Sequence, residues 1–358
     1  MASPTSELRF ALVGCGKIAQ RHGDILANCI PGAKLVAVAD LDQKRADEAA
    51  ARWKCKGYTN LRAMIEAERP DVVSVLTDSG SHARLSLEAI PHVRNVIVEK
   101  PMALTVADAD RMIALAKERN TRLFVVKQVR YFRPVQKARE YFELGKFGKM
   151  VMGSVRVRYT RTQAYYDSAP WRGTWAKDGG VLANQTIHLI DLLIWFMGDV
   201  ESVYAHTATR LLRMEAEDTA VAVLKFKSGA LGVVEATVAT RPKDIEGTVG
   251  ILGEGGTVEI GGFASNQLVR WQFVNEAEDE SRRIIEQWGS NPQHPYGYGH
   301  EVYLRGVIDA IREKRPFDVE GSVGRESLRI VDAIYASAEQ GREIRLDQPW
   351  APSRLGKG

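Results

Sequence analysis

The sequence has little of what marks secreted, disulfide-stabilised or nucleic-acid-binding proteins. Its 358 residues include only three cysteines, which form neither a CxxC pair nor an even framework, so we expect free thiols in a reducing cytoplasm. The 49 lysines and arginines nearly balance 45 acidic residues, and the sequence contains no basic tail. This balance does not favour nucleic-acid binding, although it is compatible with a local anion site.

Targeting patterns, long apolar runs and metal-binding motifs are also missing. The first ten residues, MASPTSELRF, lack a basic segment followed by an apolar one, so no signal peptide is expected. The most apolar stretch follows residue 181, but His188 and Asp191 interrupt it and it is too short to span a bilayer. No histidine or cysteine cluster has the spacing of a metal site. The sequence therefore predicts a cytoplasmic protein with no membrane partner and no metal.

The first third of the sequence alternates between short apolar runs and helical patterns. The apolar runs are RFALVG (9–14), AKLVAVAD (33–40), DVVSVLT (71–77), NVIVEK (95–100) and RLFVVKQ (122–128). Such an alternation is typical of a doubly wound parallel sheet covered on both faces, whose ligands bind beyond the carboxyl ends of the strands. We therefore predict an N-terminal dinucleotide-binding (Rossmann) domain over residues 1–127.

After Gln128 the pattern changes to longer strands in which polar and apolar residues alternate. The expected strands are 150–161, 201–211, 218–241 and 246–262, with hairpin turns at SGA and GEGG. The expected helices are 133–148, 299–313 and 324–340. This pattern predicts a C-terminal α+β domain over residues 128–358 with a large open, mostly antiparallel sheet.

The first predicted strand ends in GCGKIA, which places Gly14, Gly16 and Ala19 in the GxGxxA spacing. Gly14 permits a tight turn, Gly16 lets the backbone approach a pyrophosphate, and Ala19 allows close helix packing. Asp40 ends the second strand, where an acid accepts hydrogen bonds from an adenosine ribose and repels a 2′-phosphate. The arrangement predicts NAD rather than NADP. The alternative is a glycine turn followed by a helix-capping aspartate.

Two other strand ends carry groups suited to chemistry. TDSGSH (77–82) is a turn of small residues that could lie against a flat cofactor, or a simple helix cap. EKP (99–101) places Lys100 at the tip of a buried strand, where nicotinamide and substrate should meet. The alternative for Lys100 is an ordinary surface lysine.

Polar residues recur in two segments of the second domain. Asn184, His188 and Asp191 are spaced by four and three residues, so they share one face of an apolar helix. They form either a catalytic stripe, a hydrogen-bonded core network or an exposed face. The segment 155–175 places four arginines (Arg156, Arg158, Arg161 and Arg172) among tyrosines and tryptophans. Guanidinium groups bind phosphate and carboxylate, but a sheet edge or subunit interface would have the same composition.

Taken together, the dinucleotide turn, EKP and the glycine pair before the His188 helix resemble the glucose–fructose oxidoreductase/inositol dehydrogenase (Gfo/Idh/MocA) superfamily over essentially the whole chain. Stretches including VVKQVRY, QAYYDSAPWRGTW and HPYGYGH (294–300) resemble its UDP-N-acetyl-2-amino-2-deoxyglucuronate 3-dehydrogenases, the WlbA/WbpB type. The resemblance implies oxidation of the C3 hydroxyl of this UDP-sugar to a 3-keto sugar with NAD, for lipopolysaccharide (O-antigen) biosynthesis. It also implies a homotetramer formed through the C-terminal sheet.

The resemblance also assigns roles to residues. It implies His188 as the base, Lys100 as the group that polarises the reacting oxygen, and Asn184 as a third catalytic residue. Many members carry aspartate at the position of Asn184, and an amide can orient substrate but cannot take a proton. The expected cofactor-binding residues are Gly14, Gly16, Lys17, Ile18, Asp40, Thr77, Ser79, His82, Glu99, Lys100 and Gln128. The expected substrate-binding residues are Lys100, Arg158, Arg161, Tyr165, Tyr166, Trp171, Arg172, Asn184, Gln185 and His188.

Two alternative functions are compatible with the sequence. One is a dehydrogenase or ketoreductase acting on another nucleotide sugar or on a polyol. The other is a catalytically silent NAD-binding sensor, against which the intact Lys100 and His188 argue.

Overall fold

The computed structural model describes residues 7–262, 265–289 and 297–357. The chain divides into two compact units, which are Met1–Lys127 with His300–Arg325, and Gln128–Gly299 with Glu326–Gly358. The second domain had been expected to run without interruption to residue 358.

The structure instead groups His300–Arg325 with the first unit, and hydrogen bonds explain why. The guanidinium of Arg122 donates to the carbonyl of Ala310 at 2.7 Å. The backbone N–H of Val125 donates to the carbonyl of Val319 at 2.9 Å. This C-terminal segment therefore hydrogen-bonds to the last strand of the nucleotide-binding sheet, a pairing that sequence distance conceals.

Within the described residues, the first unit is built on six parallel strands. These are β1 (Leu8–Val13), β2 (Ala33–Ala39), β3 (Lys56–Tyr58), β4 (Val72–Val75), β5 (Asn95–Val98) and β6 (Arg122–Val125), in the order β3-β2-β1-β4-β5-β6. The helices are α1 (Lys17–Asn28), α2 (Gln43–Trp53), α3 (Leu61–Glu68), α4 (His82–Ala89) and α5 (Val106–Arg119). The predicted doubly wound parallel sheet is confirmed, and the strand order reverses next to β1, where such sheets bind dinucleotides.

The second unit contains an eight-stranded sheet in the part of the chain that the structure describes. Its strands are β7 (Met150–Arg158), β8 (Val200–Ala208), β9 (Thr219–Phe226), β10 (Leu231–Thr237), β11 (Glu246–Gly253), β12 (Gly256–Gly261), β13 (Gln267–Phe273) and β14 (Ile344–Arg345), in the order β13-β12-β11-β7-β10-β9-β8-β14. Among the described strands of this sheet, only β7 and β10 pair in parallel. The predicted open, mostly antiparallel sheet is confirmed.

The remaining helices are α6 (Arg133–Glu143), α7 (Gln163–Asp167), α8 (Ile187–Met197), α9 (Glu278–Trp288), α10 (Gly299–Arg312) and α11 (Gly321–Gln340). In the second unit, α8 packs on β7 and β11 and covers one face of the sheet. None of the helices in the described ranges combines the length and apolarity needed to cross a bilayer.

Candidate active site

The glycine turn after β1 has the geometry that a pyrophosphate requires. Gly14 has φ of +91°, and a Cβ there would lie 2.8–2.9 Å from Thr77 and Leu76, so only glycine fits. Gly16 is different, because a Cβ at this position would meet no atom within 4 Å. Protein packing thus does not explain the missing side chain of Gly16, whereas close approach by a ligand does. Lys17 and Ile18 then begin α1, whose first turn is not capped by a side chain.

Asp40 is fixed beside this turn. Its Oδ2 accepts a hydrogen bond from the backbone N–H of Cys15 at 2.8 Å, and its Oδ1 accepts one from Asp42 N at 2.9 Å. Arg45, the cation that could have neutralised a 2′-phosphate, lies 3.5 Å from the Asp42 carboxylate. The charge balance at the end of β2 therefore stays acidic, which suits a ribose hydroxyl and disfavours a phosphate.

The TDSGSH turn is held by its own hydrogen bonds. Thr77 Oγ1 lies 2.7 Å from Ser81 Oγ, and Ser79 is buried in a 3₁₀ turn over Ser79–Ser81. His82 contacts main-chain carbonyls through both ring nitrogens, Nδ1 at 2.8 Å from Pro101 O and Nε2 at 3.1 Å from Thr77 O. Complete burial lowers the pKa of His82. The imidazole therefore joins two strand ends, and its nitrogens face protein groups rather than the cofactor that we expected.

Glu99 also faces inward. Its Oε1 lies 3.1 Å from His22 Nε2, and its Oε2 accepts the backbone N–H of Lys100 at 3.0 Å. Burial alone would raise the pKa of this carboxyl, but the hydrogen bonds from His22 and His300 hold it well below its usual value. Glu99 thus contacts the backbone of Lys100, which is half-buried after β5, and its expected cofactor contact stays a prediction.

Asn184, His188 and Asp191 form the polar stripe of the second unit. The segment that carries them begins with a π-helical turn over Leu182–Thr186, and α8 follows it. The regular α-helix expected from residue 181 is therefore wrong in its first turn. Such turns are rare and often occur at functional sites. Asn184 lies in the π-turn, where its Nδ2 donates to Asp178 Oδ1 at 2.5 Å. Asp178 is buried and was not predicted from the sequence.

The other two stripe residues have different environments. The Gln128 Nε2 lies 3.2 Å from His188 Nε2 and donates to it, which makes this ring nitrogen an acceptor without a proton. Asp191 is fully buried and forms a bidentate ion pair with Arg130, at 2.7 and 3.0 Å. The stripe is therefore divided, because Asp191 is structural whereas His188 and Asn184 are partly exposed.

The predicted arginine cluster also separates into two groups. Arg158 donates to Glu235 at 2.6 and 2.9 Å and to Glu246 at 3.2 Å, and Arg156 also pairs with Glu246. Both guanidinium groups belong to an ion-pair network on the sheet. The substrate-binding role expected for Arg158 is therefore corrected to a role in this network. Arg161 lies 3.6 Å from Asp244, at the end of the same strand.

Arg172 has a different setting. Its Nη1 donates to the Tyr165 hydroxyl at 2.6 Å, and its guanidinium lies 4.3 Å from the ring centre of Tyr165 and 4.4 Å from that of Trp171. Tyr166 packs edge-on against Tyr165 and is buried. Two buried polar atoms in this segment, Arg172 Nε and Gln185 Oε1, lack a hydrogen-bond partner among the described residues. A buried polar group without a hydrogen-bond partner is costly, so both atoms can accept or donate a further hydrogen bond.

A buried carboxylate beneath the π-turn was also missed by the sequence reasoning. Glu217 Oε1 accepts hydrogen bonds from Leu182 N at 2.9 Å and from the Tyr335 hydroxyl at 2.8 Å. Burial raises the pKa of Glu217 to about 8. The only sequence signal was a helix start without a capping residue of its own, which requires a partner from elsewhere.

Comparisons with known proteins agree with these two units. The model described as the oxidoreductase family, NAD-binding Rossmann fold, matches residues 8–127, and the GFO/IDH/MocA C-terminal domain matches residues 135–259. The chain belongs to the GFO/IDH/MocA family. The predictions of family, NAD as cofactor and dehydrogenase activity are thereby confirmed.

Three members of the GFO/IDH/MocA family illustrate the likeness. The WlbA dehydrogenase of Bordetella pertussis, solved with NADH and UDP-GlcNAcA, is 39% identical with a TM-score of 0.90, covering 97% of this chain and 99% of its own. The Chromobacterium violaceum WlbA structure, with the same ligands, is 37% identical with a TM-score of 0.89, covering 98% and 100%. The myo-inositol 2-dehydrogenase of Thermotoga maritima is 26% identical, covering 95% and 99%. Of the motif HPYGYGH, residues 294–296 lie outside the described ranges.

Proposed function

We propose that this protein oxidises the C3 hydroxyl of UDP-N-acetyl-2-amino-2-deoxyglucuronate to a 3-keto sugar with NAD, in lipopolysaccharide biosynthesis. The likeness to two WlbA dehydrogenases solved with NADH and UDP-GlcNAcA supports this substrate. The observation that carries the proposal is the setting of Arg172, a guanidinium between two aromatic rings with its Nε buried and without a partner among the described residues. A neutral polyol would leave such a group poorly satisfied.

The oxidation removes a hydride from C3 and a proton from its hydroxyl. The turn at Gly14 and Gly16, with Asp40 beside it, would hold NAD, which would supply the hydride acceptor. His188 accepts the proton on Nε2, where the substrate hydroxyl replaces the Gln128 N–H that donates to this nitrogen in the structure. The C3–O bond becomes a carbonyl, so the products are the 3-keto sugar, NADH and a proton.

Two further residues support this proton transfer. The ammonium of Lys100 stabilises negative charge on the reacting oxygen, and such electrostatic stabilisation is commonly a large part of catalysis. Asn184 orients the sugar through an amide whose direction is fixed by its hydrogen bond to Asp178. An amide is too weak a base to take up a proton at neutral pH, so His188 is the base of the second unit.

Charged and amide groups hold the substrate. The pyrophosphate and the carboxylate of a UDP-sugar acid each match a guanidinium fork, and we assign them to Arg161 and Arg172. Gln185 Oε1, which is buried without a partner among the described residues, accepts a hydrogen bond from a sugar hydroxyl or the acetamido N–H. Tyr165 and Trp171 supply ring faces for the uracil or the sugar, and the buried Tyr166 packs edge-on against Tyr165.

The open face of the second unit's sheet supports the expected homotetramer. Strand register places Val223 beside Tyr204 on one neighbouring strand and beside Val233 on the other. Val223 is 54% exposed and Tyr204 38% exposed, whereas the alternate residues of β9 are buried. An apolar patch of this kind, next to the ion pairs of Arg156 and Arg158, suits a second copy of the same sheet.

The substrate is tested by NADH formation with UDP-GlcNAcA, UDP-GlcNAc and myo-inositol. We expect kcat/KM for the sugar acid to exceed that for UDP-GlcNAc by at least about tenfold, or about 1.4 kcal/mol. Arg172→Met should reduce this preference, whereas Arg282→Met, at an exposed arginine of α9, should leave it unchanged. Equal rates with the two UDP-sugars would contradict the assignment of the carboxylate.

A polyol substrate is the second candidate function. The likeness to the Thermotoga maritima inositol dehydrogenase over nearly the full chain favours it. Under this alternative, inositol is oxidised while both UDP-sugars are inert, and Arg172 has a purely structural role.

A further inference from the structure

Two buried histidines of the first unit lie beside a single oxygen of the buried Glu99 carboxylate. His22 Nε2 lies 3.1 Å from Glu99 Oε1, and His300 Nε2 lies 3.7 Å from the same atom. The two imidazole rings meet edge to face at 5.4 Å. All three side chains are essentially inaccessible, with residue exposures of 0% for His22, 5% for Glu99 and 1% for His300. A buried carboxylate is expensive unless hydrogen bonds satisfy it, so this cluster requires a reason.

The protonation of the cluster follows from its hydrogen bonds. His22 Nδ1 is buried without a hydrogen-bond partner among the described residues, so a proton there would be unsatisfied. His22 therefore carries a proton on Nε2, which donates to Glu99. Burial lowers the pKa of His300. The result is a buried carboxylate that accepts the His22 N–H, with His300 beside it.

The other carboxylate oxygen connects this cluster to the reactive end of β5. Glu99 Oε2 accepts the backbone N–H of Lys100 at 3.0 Å. His82 acts on the following residue, because its Nδ1 lies 2.8 Å from Pro101 O. The main chain on either side of Lys100 is therefore fixed by buried imidazoles, directly at Pro101 and through Glu99 at Lys100.

We propose that His22 and His300 are positioning residues that hold Lys100 in place for the reaction through the Glu99 carboxylate. This inference rests on the proposed role of Lys100, and neither histidine touches substrate. His22 contributes an N–H that keeps Glu99 ionised and oriented, so that Oε2 stays on the Lys100 amide, and the His300 ring packs against His22 with its Nε2 3.7 Å from the same Glu99 oxygen. Outer groups that orient a reactive residue commonly change rates by about 10- to 100-fold when removed.

The test compares His22→Leu, which removes the donor, with His22→Gln, whose amide Nε2 can donate from nearly the same place. We expect His22→Leu to lower kcat by about 10- to 100-fold, with the affinity for NADH changed by less than about twofold. His22→Gln should recover most of the rate. His92→Leu, at an exposed histidine of the same unit, is the control and should behave as wild type. Equal loss in the leucine and glutamine variants, or no loss in either, would overturn the proposal.

The pH dependence of kcat distinguishes the proposed positioning role of His22 from a general loss of packing in His22→Leu. Glu99 is faced by His22 from α1, by His82 from α4, and by His300 and Tyr303 from α10. The hydrogen bond from His22 lowers the pKa of Glu99, so its removal raises that pKa. At low pH, kcat of His22→Leu should therefore fall more steeply than kcat of the wild type. The reason is that Glu99 must then lose its proton as well as the group that already titrates. An unchanged pH dependence would contradict the proposal.

Two further measurements separate failure of the positioning role from failure of the proposed role of Lys100, and from metal binding. Lys100→Met should lose activity while retaining NADH binding; if it keeps normal turnover, the proposed role of Lys100 fails, whatever the histidines do. The three donor atoms lie within 4.8 Å of one another, so purified protein should also be assayed for metal. We expect none in stoichiometric amount. A metal ion that His22→Leu releases would overturn the positioning role.

Discussion

At the scale of single residues, the candidate site is fixed mainly by hydrogen bonds within each unit. Asp40 is fixed by two backbone N–H groups, and Asn184 by Asp178. Prealigned groups of this kind need little reorganisation when a ligand binds, which favours both affinity and rate. Hydrogen bonds to main-chain groups also hold His82 and Glu99, whose expected cofactor contacts stay predictions.

We expect Asp40 to make the enzyme prefer NAD over NADP. A carboxylate next to a 2′-phosphate repels it, and Arg45, a cation five residues along the chain, already pairs with Asp42. The measurement is kcat/KM with each cofactor, for wild type and for Asp40→Ser, which should gain activity with NADP. Asp47→Ser, at an exposed aspartate of α2, is the control. Equal or better use of NADP by the wild type would refute this expectation.

His188→Asn should lower kcat by about 10²- to 10⁴-fold, the usual contribution of a general base, while NADH binding is unchanged. Asparagine retains hydrogen bonding but cannot take a proton at neutral pH. His206→Asn, at an exposed histidine of β8, should retain full activity. Normal turnover of a folded His188→Asn variant would show that the proton leaves by another route.

At the scale of elements, most of the fold could be predicted from hydrophobic periodicity. Five of the parallel strands correspond to the five apolar runs, whereas β3 was missed because Lys56–Tyr58 is too short to show a pattern. Periodicity also could not reveal the π-turn at Leu182–Thr186, which depends on tertiary contacts. Glu217 supports that turn from 35 positions along the chain, beyond any local signal.

Part of the candidate site could likewise be predicted from the sequence, and part could not. Motifs located Gly14, Gly16 and Asp40, because dinucleotide binding needs fixed spacing along one strand–turn–helix unit. Composition could not separate Arg158 from Arg172, since both lie among tyrosines and tryptophans in one segment. Only the register of β7 with β10 and β11 shows that Arg158 faces the acids of neighbouring strands.

Glu217, which accepts a hydrogen bond from the π-turn before α8, should make the free energy of unfolding depend on pH. Burial raises the pKa of Glu217 from 4.5 to about 8, so the folded protein holds this proton more tightly than the unfolded chain does. Its contribution to stability therefore falls as pH rises between these values. Glu217→Gln removes the titration, so its Tm relative to wild type should increase from about pH 5 to about pH 8.5.

Calorimetry of Glu217→Gln at both pH values measures this difference. Glu215→Gln, at an exposed glutamate two residues away, provides the control and should show no such trend. A constant Tm difference for Glu217→Gln would mean that Glu217 is ionised throughout.

At the scale of the whole molecule, each unit carries its own candidate residues. The first unit contains the dinucleotide turn and Lys100, and the second contains His188 and Arg172. The second unit also leaves one sheet face uncovered by its own helices, with apolar residues on β8 to β10. Exposed apolar patches on a sheet are commonly assembly surfaces.

Val223→Glu should dissociate the proposed tetramer, because it places a charge in the centre of the apolar part of the open face. Size-exclusion chromatography with light scattering measures the mass. Leu144→Glu changes an apolar residue of the same unit that is 63% exposed and lies after α6, away from the sheet, and it should leave the mass unchanged. A wild-type protein that runs as a monomer would contradict assembly through this face.

The central claim is hydride transfer from C3 of the UDP-sugar acid, and isotope transfer tests it most directly. UDP-N-acetyl-2-amino-2-deoxyglucuronate carrying deuterium at C3 is incubated with enzyme and NAD, with the C4-deuterated sugar as control, and NADH is analysed by mass spectrometry. The account predicts deuterium in NADH from the C3-labelled sugar alone, with slower turnover if hydride transfer limits the rate. Deuterium in NADH from the C4-labelled sugar, or NADH without deuterium from the C3-labelled one, would contradict it.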